Sequence, residues 1–403
     1  VNRRVLATLS YGHLATDLSQ GAIPTLLPVF KAQYLLSYTD VGFIVLMANI
    51  SSSVIQPAFG VLSDRLMVRW LMPLGALVAG TGIVLAVVSP YYGMMLAMVF
   101  LSGLGVAAFH PEGYKFAALS SGERRATGMS YFSVGGNLGY GLGPAAASIA
   151  ISLAGRDGMA YILAFSVPAA ILLWRVSAPH QRERLEAAWT GRASPEGSPA
   201  PARTQAVRAS SIVLGLLVLF VILRSWISVG ISSFIPLYYT EVRHADPRFA
   251  GLLVSVFLGA GSVGTLLGGL AADRWGHRRM LILSMAILPP LLWMLPRTSG
   301  IEVILVALVS GMAVVSTFAV AMVMAQSLIP DRIGLISGLI IGFAVGTGGI
   351  GVTLLGAIAD RWGLINAMDV TALLPFVALV IALLLPPEPS YVRNLSPSPD
   401  VPI

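Results

Sequence analysis

Apolar runs of spanning length recur along the chain from one end to the other, separated by turn residues and charges. A helix needs about 20 such residues to cross the ~30 Å hydrocarbon core of a bilayer. Lipid offers backbone groups no hydrogen-bond partner, which limits spanning chains to helices or closed barrels. These runs are continuously apolar rather than alternating, so they predict helices. We place about twelve of them, near 5–30, 41–63, 71–89, 92–119, 126–154, 159–178, 211–239, 250–272, 280–297, 302–329, 334–359 and 367–386. Only 11% of the 403 residues are charged and 56% are hydrophobic. A soluble domain carries about 25% charge, so the two or three soluble domains that length alone suggests are excluded.

The one long polar stretch, APHQRERLEAAWTGRASPEGSPAPARTQAVRASS, lies between the sixth and seventh runs and reads as a linker with a short surface helix near Glu183 to Trp189. The expected organisation is therefore a six-helix bundle over 1–178, a linker over 179–210, a second six-helix bundle over 211–388 and a tail over 389–403. Lys31, Arg156, Arg243, Arg248, Arg297 and Arg361 are the basic residues on one side of this arrangement. Lys115 and Arg224 fall inside runs, and the remaining Lys and Arg share the other side with both termini and the linker. The positive-inside rule makes that side cytoplasmic and the protein a multi-pass inner (plasma) membrane protein.

The net charge of +7 is scattered over short loops without a basic face, which argues against a nucleic-acid partner. With no cysteine in the chain, disulfides, thiolate metal sites and thiol nucleophiles are excluded. The polar start of the first run predicts no secretory signal peptide.

The halves echo each other. GVLSDRLMVRW ends the second run with Asp64, Arg65 and Arg69, and GLAADRWGHRR, Gly269 to Arg279, ends the eighth with Asp273, Arg274, Gly276, Arg278 and Arg279. ERRATGMS around Arg124 and DRIGLISG around Arg332 repeat at nearly the same offset. Matched halves of this kind imply duplication and a pathway along their interface. Gly269 to Arg279 resembles the G-x-x-x-D-R-x-G-R-R signature of the major facilitator superfamily. The resemblance implies an all-α fold of two pseudo-repeated six-helix bundles, with these charged residues gating one side. The first copy departs from the signature at Met67 and Val68. A third, GAIADRWG at 356–363, falls on the opposite side and is expected to cap its own helix there. Gly135, Gly139, Gly143 and Pro144 sit at helix-packing spacing on the fifth run. They resemble the glycine-proline motif of drug:proton antiporters of that superfamily.

Ionisable side chains inside a membrane cost about 2.5–3.5 kcal/mol on insertion scales and mark functional sites by default. Six qualify: His13, Asp17, His110, Glu112, Lys115 and Arg224. His13, Asp17 and Gln20 share one helical stripe, where burial and a neighbouring His act in opposite directions on the carboxylate and suit it to proton exchange. In AAFHPEGYKFA, Pro111 is expected to kink the fourth helix; His110 and Glu112 stand about 200° apart and share a face only if the helix unwinds there. Lys115 either lines the cavity or reaches the interface. Arg224 and Ser228 lie one turn apart on the seventh run, and a guanidinium grips carboxylate or phosphonate oxygens in pairs.

HLATDLSQGAIPTLLPVF, SSVIQPAFG, FHPEG and LRSWISVGISSFIPLYY together resemble the fosmidomycin resistance branch of the superfamily over essentially the whole chain. The resemblance implies a central site lined by His13, Asp17, Gln20, Gln56, His110, Glu112 and Arg224. It also implies a proton-driven exporter of small drugs. We expect proton coupling at Asp17, Glu112, His13 and His110, with substrate binding at Gln20, Gln56, Arg224, Ser228 and Lys115. The expected partners are a small-molecule substrate, protons and membrane lipid, for a monomer with no cofactor and no resident metal. A symporter or facilitator importing an organic anion is the alternative within the class. A membrane-embedded hydrolase or a His/Asp/Glu metal site is disfavoured, because neither H-E-x-x-H nor G-x-S-x-G occurs. A receptor is disfavoured because no large segment lies outside the membrane.

Overall fold

Helix boundaries fall where backbone chemistry puts them. Ser37 accepts from the Asp40 backbone N–H while Asp40 accepts from that of Ser37, a capping box that opens one helix. Asp246 followed by Pro247 opens another, and Gly276 (φ 96°), Gly300 (φ 59°) and Gly363 (φ 89°) make turns that L side chains resist. The computed structural model describes residues 2–66, 70–121, 125–177, 206–328, 340 and 346–386.

Within them the first half holds α1 (Arg3–Gly21), α2 (Ile23–Tyr34), α3 (Tyr38–Asn49), α4 (Gln56–Leu66), α5 (Leu71–Val88), α6 (Tyr92–Ser121), α7 (Arg125–Ala154) and α8 (Leu163–Val176). The second half holds α9 (Ala206–Leu237), α10 (Pro247–Trp275), α11 (His277–Met294), α12 (Gly300–Leu328), α13 (Gly348–Trp362) and α14 (Leu364–Leu384). α1 runs into α2 through Ala22, which keeps helical angles, and a π turn at Ile50–Val54 joins α3 to α4. The passages therefore number six in each half. Among the described residues, eight stretches are long and apolar enough to cross a membrane by length and composition alone. The first passage is not among them, because its polar residues, His13, Asp17 and Gln20 included, dilute its apolar run.

Several expectations change here. The fourth passage stays helical from Tyr92 to Ser121 through Pro111, so no unwinding brings His110 and Glu112 onto one face. The eighth runs to Trp275, which moves Asp273 and Arg274 from a loop into its last turn. The seventh begins at Ala206, inside the expected linker. The rest of that linker with its Glu183–Trp189 helix, the tail, Arg69, Arg124, Arg332 and the side chains of Asp64 and Arg65 lie outside the described residues.

Two kinds of close seam organise the bundle. Within the first half, a Cβ on Gly135, Gly139 or Gly143 of α7 would strike the backbone of Ser10, Leu14 and Gly21 on α1. Between the halves, a Cβ on Gly42 would strike Thr353 and one on Gly349 would strike Leu46 on the side away from the N-terminus, and one on Gly141 would strike Gly259 midway along α7 and α10. Small residues at such spacing let helix backbones touch. At the other end the first half has its own apolar cluster, built on Leu9, Met72, Phe109, Phe116, Phe132 and Leu173 and separate from the large core.

Candidate transport site

α1 and α6 cross where His13, Asp17 and His110 meet. The His13 Nε2 lies 3.2 Å from one Asp17 carboxylate oxygen, the His110 Nε2 lies 3.2 Å from the other, and the two Nε2 atoms are 3.2 Å apart. Each ring is fixed from behind. The His13 Nδ1 is 2.9 Å from the Phe132 carbonyl oxygen, and the His110 Nδ1 is 2.9 Å from that of Val106. A carbonyl only accepts, so both Nδ1 atoms carry hydrogen. In the neutral rings both Nε2 atoms are then bare lone pairs, facing each other and a carboxylate. Phe132 stacks on His13 with centroids 4.2 Å apart, and Tyr114 stacks on His110 at 6.1 Å. Gly136 leaves the room the His13 ring occupies, since a Cβ there would meet three ring atoms. Asp17 Oδ1 is buried and lacks hydrogen-bond geometry to any partner among the described residues.

This cluster forms one wall of a cavity of about 380 Å³ between the halves. Ligand pockets run from about 300 to 1,000 Å³, so the space suits a small solute. Asp17, Gln20, Gln56 and His110 line it from the first half, and Arg224 and Ser228 from the second. His13 is not among the lining residues and adjoins the cavity only through Asp17 and His110. Glu112 and Lys115 are not among the lining residues: Glu112 is buried elsewhere on α6, as its 200° offset from His110 requires. Arg224 is buried, its guanidinium lies 5.0 Å from the centre of the Phe318 ring, and its Nε has no hydrogen-bond partner among the described residues. Gln20 donates to the Ser52 hydroxyl at 3.0 Å, which ties α1 to the π turn.

Sequence reasoning passed over Asn49, Asn137, Tyr140, Ser262, Thr265 and Phe318, which also line the cavity. Asn49 and Asn137 carried a weak signal as amides inside spanning runs. Tyr140 was hidden in a glycine-rich stretch read for packing alone, and Phe318 is indistinguishable in sequence from core. A larger groove of about 670 Å³ lies between α1 and α7, but its walls are exposed apolar residues such as Val134 and Leu138 from one half only. Convergent polar groups from both halves favour the central cavity.

The donor atoms of His13, Asp17 and His110 all lie within 4.8 Å of one another, close enough to share a metal ion. A proton relieves the same crowding of lone pairs. Asp273, Arg274 and Arg279 are exposed on the termini side, and the Arg278 guanidinium donates to the Leu383 carbonyl at 2.7 Å. The sharp turn there is made by Gly276, while Gly269 sits in open space within α10.

Two bundles of six passages around a central polar cavity match a known family. The sequence profile of the Major Facilitator Superfamily covers residues 9–246 and 217–402. The chain belongs to the major facilitator superfamily. It is a multi-pass membrane transporter. It is 29% identical over 382 residues to the fosmidomycin resistance protein of Escherichia coli (strain K12), spanning 93% of this chain and 91% of that protein. It is 30% identical over 386 residues to an uncharacterised MFS-type transporter of Bacillus subtilis (strain 168), YfnC, spanning 95% and 93%. The fold is similar to the crystal structures of the nucleoside transporter NupG and of a D-xylose-proton symporter. The TM-score is 0.72 in both cases, at 13% and 14% identity, with 94% and 96% of this chain and 98% of each of theirs covered.

Proposed function

We propose that the chain is a proton-coupled antiporter of the inner membrane that exports a small anionic organic compound by alternating access, with both termini and the linker cytoplasmic. The observation that carries this reading is the His13–Asp17–His110 triangle. Its three 3.2 Å separations put two lone pairs and a carboxylate together, an arrangement that repels itself unless a proton sits inside it. Tyr114 and Tyr140 are the other titratable groups around the carboxylate, and Arg224 faces the same cavity from the second half.

Antiport requires that proton and solute exclude each other. Arg224 holds an oxyanion at one end of the solute. A hydroxyl or N–H at the other end donates into the triangle and takes over the proton's task, so the loaded solute releases the proton. The halves then rock around the filled cavity, and a proton from the far side displaces the solute. An anion with no such donor leaves the proton in place and travels with it, which is symport. The sign of the proton movement therefore reports the chemistry of the solute.

The name of the Escherichia coli relative makes fosmidomycin the first solute to test. In reconstituted vesicles, adding fosmidomycin should drive protons in the opposite direction to the drug. Asp17→Asn should abolish that flux and retain binding, while Arg224→Ala should lose binding. Wild-type proton flux in both variants sinks the assignment. Flux in the same direction as the drug replaces antiport by symport.

A further inference from the structure

The third Asp-Arg echo, Asp-Arg-Trp-Gly at 360–363, ends α13 on the side away from the N-terminus, where Gly363 turns the chain. A carboxylate there faces the negative end of its own helix dipole, so capping α13 is not its task. The Asp360 side chain instead crosses to the other half. One of its oxygens accepts from the Tyr38 backbone N–H at 2.7 Å; the other accepts from the Thr39 backbone N–H at 2.9 Å and from the Thr39 hydroxyl at 2.6 Å.

Every α-helix leaves its first N–H groups without intrahelical partners. In α3 the capping box between Ser37 and Asp40 serves two of them, those of Ser37 and Asp40. Those of Tyr38 and Thr39 are served by Asp360. A helix of the first half is thus completed by a carboxylate of the second, and the positive end of its dipole meets a negative charge. Reach explains why a short aspartate suffices: Gly356 of α13 lies where a Cβ would strike the Tyr38 carbonyl and Thr39.

We propose that Asp360 is the latch that holds the outer ends of the two halves together, and that its release opens the central cavity to that side. Tyr38 also donates its hydroxyl to Glu241 at 2.8 Å. Glu241 holds Lys31 at 3.1 Å, and the Lys31 ammonium lies 4.3 Å from the centre of the Tyr38 ring. That partly exposed ion pair backs the latch; Asp360 is more exposed still, and what sets it apart is that three hydrogen bonds from the first half, two of them from backbone N–H groups, converge on one carboxylate. Losing the Asp360 carboxylate takes the protein partner from two N–H groups at once and leaves them to water, and it removes the charge that meets the α3 dipole. The latch rests on the alternating-access reading, but its test needs neither a solute nor a proton gradient.

The natural chain has no cysteine, so one introduced at Ser262 on the cavity wall is its sole thiol. A membrane-impermeant maleimide added on the side opposite the termini should label Ser262→Cys slowly. Adding Asp360→Asn or Asp360→Ala should raise that rate by about tenfold or more, the loss of at least one charge-assisted hydrogen bond. Thr39→Val, which removes one of three contacts and keeps the carboxylate, should raise it less, and Glu241→Gln should raise it less than Asp360→Asn. Unchanged labelling in correctly inserted Asp360→Asn and Asp360→Ala overturns the latch. If those variants fail to insert, an unchanged rate in Thr39→Val overturns it instead.

Discussion

Replacing Gly136 with alanine tests the proton site without removing any ionisable group. The new Cβ would lie in hard contact with the His13 ring, 2.7 Å from its Cδ2 and nearer still to Cε1 and Nε2. Relief can come from separating α1 and α7 or from turning the ring. Separation breaks the backbone contacts at Gly135, Gly139 and Gly143 together, so the ring moves. Turning it forfeits the 2.9 Å bond to the Phe132 carbonyl and the stacking on Phe132. Overpacking of this kind costs about 1–3 kcal/mol. The triangle loses one hydrogen bond involving a charged group, worth about 1.5–3 kcal/mol, which corresponds to about ten- to hundredfold in the coupled step. The readouts are fosmidomycin-driven proton flux in vesicles and drug binding by calorimetry. Gly136→Ala should lower the flux at least about tenfold while binding, which rests on Arg224, changes by less than about threefold. Gly259→Ala is the control, since its Cβ enters open space. Wild-type flux in Gly136→Ala at normal protein yield refutes the argument that the His13 ring completes the proton site.

Other outcomes follow from the same geometry. Glu112→Gln should keep fosmidomycin-driven proton flux within about twofold of wild type, because the side chain is not on the cavity wall; abolished flux would return the proton to Glu112. Arg224→Lys should weaken phosphonate binding by about tenfold or more in a calorimetric titration, since a lysine ammonium lacks the planar fork; equal affinity would mean the guanidinium is not the anchor. Gly276→Ala should destabilise the detergent-solubilised protein by about 1–3 kcal/mol through its φ of 96°, whereas Gly269→Ala should leave the thermal midpoint unchanged. Equal midpoints would exclude strain at that turn.

The passages were legible because the bilayer imposes a length and a composition that few other environments impose. The stripe of His13 and Asp17 was legible from helical spacing, and so was the opposition of His110 and Glu112. That His110 meets His13 was not, because it depends on how α1 and α6 cross, and nothing local to either run encodes a crossing. The amides and Tyr140 were missed for a related reason: a polar residue in a spanning run reads the same whether it faces a cavity or a neighbouring helix. The role of Asp360 was misread for a physical reason too. A motif at a helix end suggests a cap, and sequence reveals the nearest helix in the chain, not the nearest in space.

The distribution of small residues separates what stays fixed from what moves. Along α1 and α7, within one half, glycines bring backbones together over three successive turns, and His13 is clamped against Gly136 in the same seam. A proton site needs that rigidity, because the tautomers of His13 and His110 are set by carbonyls about 3 Å behind each ring. Between the halves, Gly42, Gly349 and Gly356 make equally close contacts, mostly with backbone atoms of the facing helix. Glycine contacts of that kind hold by dispersion, which has no preferred direction. Such an interface needs a directional device to fix its closed position. A carboxylate that completes a foreign helix supplies one: it binds in a single geometry and is lost as soon as the halves separate by an ångström or two.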